Sequence, residues 1–307
     1  MATRKRATSK GKAHSFGGDW TSTKLDVLAK YLTAYTTALK DKPSADRAFR
    51  KAYIDAFAGT GYRSMRRDED TSKNLLFPDL AATAPQELLD GSARLALKTH
   101  PRFDRYIFIE RNADRCAQLD SLKAEFPDLA ADIRVEQGEA NEEIRKICDK
   151  DWRSHRAVLF LDPYGMQVEW QTIEAIAKTA AIDLWLLFPL GIGVTRLLKR
   201  SGDIPAGWRA RLDKLLGTQD WYDEFYRVEH KPTLFGTDEE RVVKATNDTI
   251  GRYFNNRLKS VFPGVAEPGV LRNSSNCPLY LLCFAAGNEK GAPIALKIAN
   301  YLLKEVR

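Results

Sequence analysis

The chain has 307 residues, 44% of them hydrophobic and 29% charged, and 48 Lys and Arg against 41 Asp and Glu give a formal net charge of +7. This is the composition of a globular protein with ample length for a core, and no run approaches the ~18 consecutive apolar residues of a membrane span, which excludes an integral membrane protein and a membrane partner. Four cysteines (Cys116, Cys148, Cys277, Cys283) form neither a Cys-x-x-Cys pair nor a metal-ligand spacing, so neither a disulfide scaffold nor a metal site is expected, and a cytoplasmic setting is. Residues 1–12 carry five basic residues and no acid, leaving +2 for the other 295. No apolar stretch follows these charges, so residues 1–18 read as a basic, disordered tail rather than a secretory signal, ahead of one domain over 19–307.

A helix comes first, with Thr21 or Ser22 as its cap. Leu25, Leu28, Leu32, Tyr35 and Leu39 recur at helical spacing as a core face, and Lys42-Pro43-Ser44 ends it. Strands and helices then alternate. Tyr53–Phe57 is an apolar strand running into Ala58-Gly59-Thr60-Gly61, followed by a polar loop over 62–75 and a helix after Gly91-Ser92. Tyr106–Glu110 is a second strand, Ile133–Val135 a third, Val158–Leu161 a fourth and Leu184–Phe188 a fifth, each separated by a helical pattern. Such runs predict βαβ units and a mostly parallel sheet covered on both faces. From about 191 to 262 the pattern breaks into a helical insertion with Trp221, Tyr222 and Phe225 at core spacing. Two further strands (Gly269–Asn273 and Leu279–Ala285) and a last helix with Ile294, Ile298, Leu302 and Leu303 complete the chain.

Polar residues gather where strands end. Asp55 is followed by Phe57, Ala58, Gly59 and Gly61, a turn whose glycines let a ligand approach the backbone. Position 64 is Ser, so the dinucleotide Gly-x-Gly-x-x-Gly fingerprint is not met. Glu110 ends the second strand, where an acid can accept hydrogen bonds from both hydroxyls of a ribose. Glu139 and Ala140 follow the third strand, and Asp162-Pro163-Tyr164-Gly165 follows the fourth. His14, His100, His155 and His230 are scattered, and no Ser/His/Asp nucleophile system emerges.

In that order these features resemble the class I S-adenosylmethionine-dependent methyltransferases. More narrowly, the chain resembles the three-Cys-motif partner protein family. That likeness rests on Lys24-Leu25, Tyr31-Leu32, Tyr53–Gly59, Asp90-Gly91-Ser92, Phe108–Glu110, Phe160–Gly165, Asp183–Trp185 and Leu279-Tyr280. The resemblance implies a Rossmann-like α/β fold: a mostly parallel seven-stranded sheet with helices on both faces and the insertion before the last two strands. It implies S-adenosylmethionine as cofactor, with Gly59 and Gly61 cradling the methionine part and Asp55 near its amino group. Glu110 would hold the ribose, Arg111 would lie along the adenine, and Glu139 and Ala140 would bracket the adenine edge. It also implies a cysteine-rich, radical-type protein as partner, and hence an alternative in which the chain is a non-catalytic or regulatory subunit.

Asp162-Pro163-Tyr164-Gly165 resembles the Asp-Pro-Pro-Tyr motif of enzymes that methylate exocyclic amines of nucleobases in DNA or RNA. In that motif the acid and a proline carbonyl accept hydrogen bonds from the target amine and offset its developing positive charge. Here the second proline is missing and Tyr164 comes one position early, which puts its base-stacking role in question. Arg196, Lys199, Arg200, Arg209 and Arg211 with Trp208 form a basic, aromatic-bearing stretch of the insertion suited to a nucleic-acid backbone. Methylation of a small molecule or a protein side chain is the remaining class.

Overall fold

The structure, a computed structural model, describes residues 19–42, 44, 48–58, 91–232 and 238–306. The basic tail, Gly59, Gly61 and the 62–75 loop lie outside the described residues. In chain order the elements are α1 (Asp19–Ala38), β1 (Arg50–Ala56), α2 (Ser92–Leu97), β2 (Arg105–Glu110), α3 (Ala113–Glu125), β3 (Ile133–Gln137), α4 (Ala140–Cys148), β4 (His155–Leu161), α5 (Trp170–Lys178) and β5 (Ile182–Phe188). A π-helical turn (Leu190–Val194) opens the insertion, which continues with α6 (Ala206–Leu216), α7 (Trp221–Phe225), β6 (Tyr226–Pro232), β7 (Asp238–Lys244) and α8 (Asn247–Lys259). Then come β8 (Gly264–Val265), β9 (Gly269–Arg272), β10 (Pro278–Ala286) and α9 (Ala292–Lys304).

The main sheet has the order β3-β2-β1-β4-β5-β10-β8, with β9 also paired to β10. β1 to β5 are parallel and β10 runs against them. The chain thus has a Rossmann-like architecture: a mostly parallel sheet that switches direction at one end. The predicted seventh strand position is shared by two short segments, β8 and β9, so the sheet counts eight strands.

Alternation along each strand divides the core in two, because successive side chains point to opposite faces. Ile54, Leu159, Leu184 and Leu186 pack with α4, α5, α6 and α8 on one face. Tyr53, Phe108, Phe160, Trp185 and Leu187 pack with α1, α2, α3 and α9 on the other. Burial on both faces is what made these strands near-continuous apolar runs.

Four local expectations shift. α1 begins at Asp19, so Thr21 and Ser22 lie within its first turn rather than capping it. Its buried face is Lys24, Val27, Leu28, Tyr31, Leu32, Tyr35 and Thr36, with Leu25 and Leu39 only half-buried. In α9 it is Ala299, Leu302 and Leu303 that are buried, whereas Ile294 stays 61% exposed. The insertion is not wholly helical, since β6 and β7 pair as an antiparallel ribbon with Val228 opposite Val242. The β-branched residues there favour extended backbone, and interspersed charges obscured their alternation.

The insertion is anchored by close approaches. Gly217 ends α6 at φ +68°, and a Cβ there would lie 2.1 Å from the Trp170 ring. A Cβ on Gly191 would lie 2.0 Å from the carbonyl oxygen of Pro278, so only glycine lets the π turn reach β10. Trp221 and Phe225 are buried, as their spacing suggested.

Candidate functional site

Asp55 sits one residue before the end of β1, on the same face as Tyr53, and Asp162 lies just past β4 on the face of Phe160. β1 and β4 are neighbours in register, Ala56 beside Leu161. Strand parity therefore delivers both carboxylates to the side covered by α1. Lys24, on the buried face of α1 and only 7% exposed, meets them there: its Nζ forms an ion pair with Asp162 Oδ2. Lys24 also lies 5.2 Å from the ring centroid of Trp20, one turn earlier. In the sequence Lys24 carries only the family resemblance and does not stand out as a site residue. The available signal was its position four residues before Leu28 and seven before Tyr31, on the apolar face where a charge needs a partner.

Asp55 is 1% exposed. It accepts hydrogen bonds from Tyr53 Oη at 3.1 Å and from the Ser92 side chain. Burial nevertheless pushes its carboxyl up to about 7, with Asp162 adding to the shift while Ser92, Tyr53 and Lys24 oppose it. Phe57, next along, adopts φ +80°, a left-handed turn uncommon for a residue with a side chain. It leaves the amides of Phe57 and Ala58 both bonded to Ile109 O, at 3.2 and 3.1 Å. The strand end is thereby folded sharply toward β2.

Glu110, at the end of β2, is 3% exposed. Its Oε1 accepts from the Asn112 amide at 2.7 Å, while its Oε2 is buried with no hydrogen bond among the described residues and forms a long ion pair with Arg115 Nη1 at 3.8 Å. Arg111 beside it is exposed. Glu139 caps α4 by accepting from the Glu142 amide at 3.0 Å and also receives Asn141 Nδ2 at 2.8 Å. Ala140 is buried as the first residue of α4. Asn141 spends all its polar capacity joining two strand-end loops: it donates to Gln167 O and accepts from the Glu169 amide and Thr172 Oγ1 at 2.9–3.0 Å.

After Asp162, Pro163 is buried and Tyr164 half-buried, with the Tyr164 amide held by Gln167 Oε1 at 3.1 Å. Gly165 takes φ +68° with open space where a Cβ would be, so conformation rather than crowding calls for glycine. The insertion adjoins this loop: Gly193 of the π turn lies against Met166, and Lys214 of α6 approaches Glu169 at 3.6 Å. Arg196, Lys199, Arg200, Arg209 and Arg211 are exposed and Trp208 is half-buried. Lys199 lies 5.8 Å from the Trp208 ring, and Arg209 lies 4.7 Å from that of Tyr222.

An open groove of about 820 Å³ lies elsewhere, by the amino end of β4, and includes Trp152, Arg153, Arg156 and Lys178 but none of the strand-end acids. Among the described residues no group of three or more His, Cys, Asp or Glu side chains could hold a metal ion, and no helix is long and apolar enough to cross a membrane.

A second buried carboxyl braces the far part of α1. Asp183 accepts from Tyr31 Oη at 2.7 Å and from the Gly287 amide at 2.9 Å, and burial pushes it up to about 6. Asp55 and Asp183 both keep their protons to higher pH in the folded chain than in the unfolded one, where the ordinary value is about 4. The folded state then binds more protons between about pH 4 and 7, so this stabilisation is present at the acid side and is lost as pH rises through 6 and 7. Through these two groups the melting temperature should fall from about pH 4 to 7. Asp55→Asn should remove the part of that slope near 7 and leave the part near 6. A melting-temperature difference between wild type and Asp55→Asn that does not change across this window would refute the raised carboxyl of Asp55.

No protein-family model and no curated protein matches the chain. Among solved structures it is similar to a Legionella pneumophila protein described under the family DUF519, at 12% identity and TM-score 0.42, over 96% of this chain and 94% of that one. It is also similar to a spermidine synthase in complex with the transition-state analogue AdoDATO, at 9% identity and TM-score 0.38, over 94% and 74%. A third is the magnesium protoporphyrin IX methyltransferase of Synechocystis PCC 6803 with bound SAH, at 14% identity and TM-score 0.30, over 74% and 86%. These are likenesses of architecture alone.

Proposed function

We propose that the chain is an S-adenosylmethionine-dependent methyltransferase acting on an exocyclic amine of a nucleobase in DNA or RNA. The observation that carries the cofactor reading is Glu110: a buried carboxylate at the end of the second strand with one oxygen bonded to its own turn and the other, 3.8 Å from Arg115, without a hydrogen bond among the described residues. A buried acceptor left unmade is costly, and the paired hydroxyls of a ribose fit the open oxygen. Asp55 fits the same ligand, since a cationic amino group beside it would hold it ionised. When bound, S-adenosylmethionine would be held by Glu110 and Asp55 and would supply an electrophilic methyl group to the acceptor nitrogen.

The acceptor reading rests on Asp162 and Pro163. An amine donating to the Asp162 carboxylate and the Pro163 carbonyl would have its lone pair oriented and its growing positive charge offset. The ion pair with Lys24 aims the Asp162 carboxylate. The basic surface of the insertion, next to this loop, suits a phosphate backbone.

Two measurements test the reading. Calorimetry of the full chain with S-adenosylhomocysteine should show binding. Incubation with labelled S-adenosylmethionine and separate DNA, RNA and protein fractions should put label on nucleic acid. Absence of binding would remove the cofactor, and label on protein alone would remove the acceptor class. Binding without transfer to any fraction would favour the regulatory-subunit alternative.

A further inference from the structure

The Asp162 motif lacks its second proline and Tyr164 comes early, so the reading above leaves open what the acceptor's ring lies on. The structure offers another aromatic at the same place. Trp20 is in the first turn of α1, half-buried, with its ring centroid 5.1 Å from that of Tyr280 in β10. Because β10 is antiparallel, with Leu281 beside Phe188 at the carboxyl end of β5, its opening residues lie at the edge where the parallel strands end. Trp20 and Ile192 of the π turn are both partly buried apolar residues on the core of the α1 side. Lys24 joins ring to acid: one ammonium contacts both the Trp20 face and the Asp162 carboxylate.

We propose that the first turn of α1 is the acceptor subsite, with Trp20 as the platform for a planar, amine-bearing base and Lys24 as the residue that positions Asp162 toward its amine. The proposal rests on the methyltransferase reading and specifies its acceptor site. A partly exposed indole backed by Tyr280 is a rigid surface that any base can stack on. The adjoining Asp162, 31% exposed, then selects for a hydrogen-bond donor. α1 is fixed for this role, being held at Lys24 by the Asp162 loop and seven residues later at Tyr31 by Asp183.

The test is equilibrium titration of the full chain, saturated with S-adenosylhomocysteine, with short oligoadenylate, oligocytidylate, oligoguanylate and oligouridylate strands, following tryptophan fluorescence. At least one amine-bearing strand should bind more tightly than oligouridylate. Trp20→Ala should weaken that binding about 5- to 100-fold, the range expected for one lost base–aromatic stack. Trp20→Phe should keep most of the affinity but lose the part of the quenching due to Trp20, and both variants should bind S-adenosylhomocysteine within about threefold of wild type. Unchanged strand affinity in Trp20→Ala, a parallel loss of S-adenosylhomocysteine binding, or no strand binding by wild type would each overturn the proposal. Failure of wild type to bind S-adenosylhomocysteine at all would instead overturn the reading beneath it.

Discussion

Asp162→Ala is expected to lower methyl transfer by about a thousandfold or more while leaving S-adenosylhomocysteine affinity within about 1 kcal/mol. The asymmetry follows from position. Asp162 follows β4, where the acceptor would sit, whereas Glu110 and Asp55, the groups suited to the cofactor, end β2 and β1. The same substitution leaves Lys24, 7% exposed, without its carboxylate. A buried charge stripped of its partner is destabilising, here by about 1–3 kcal/mol given that Asp162 itself is partly exposed. The double variant with Lys24→Met should recover part of that stability without recovering activity. Single-turnover transfer, S-adenosylhomocysteine calorimetry and thermal melts on the same preparations separate the effects. Near-normal transfer by Asp162→Ala would take this residue out of the mechanism.

Glu110→Ala should weaken S-adenosylhomocysteine binding about 10- to 100-fold, the value of one or two hydrogen bonds to a charged acceptor. The ligand-free protein should lose little stability, because the substitution deletes a buried charge whose Oε2 has no hydrogen bond among the described residues as well as the bond to the Asn112 amide and the 3.8 Å ion pair with Arg115. The two effects oppose each other. The signature is thus a melting temperature nearly unchanged without ligand but no longer raised by S-adenosylhomocysteine, since a ligand stabilises only the state it binds. Full retention of the ligand-induced rise would mean that Glu110 does not face the cofactor.

Much of the fold was legible because strands buried on both faces leave an apolar signature that needs no partner to be read. Tyr106–Glu110, Val158–Leu161 and Leu184–Phe188 fall wholly on strands of the sheet, and Tyr53–Phe57 does so up to Ala56. The acids at their ends were legible for the same reason, as the first polar residues after an apolar run. What was hidden depends on long-range contact. Lys24 and Asp162 are 138 residues apart, and only the packing of α1 on the sheet brings them together. The β6–β7 ribbon was hidden by its charges, and the split edge strand by the shortness of β8 and β9. Helix capping by Glu139 was overlooked because an acid before a helix reads equally well as a ligand contact. Gly59 and Gly61 lie outside the described residues, so the glycine turn stands as the sequence presents it.

The alternation of side chains along β1 and β4 makes the site a matter of parity. Asp55 and Asp162 face α1 only because each stands an even number of residues from Tyr53 and Phe160. Inserting one residue within either strand would turn its acid to the α5 side, away from Lys24, even if every backbone hydrogen bond of the sheet re-formed. Inserting two would restore the direction and shift the acid along the strand instead. Length variation in these strands is therefore graded by oddness before it is graded by size, and a chain of this architecture can drift far in sequence while the count from core aromatic to acid stays fixed.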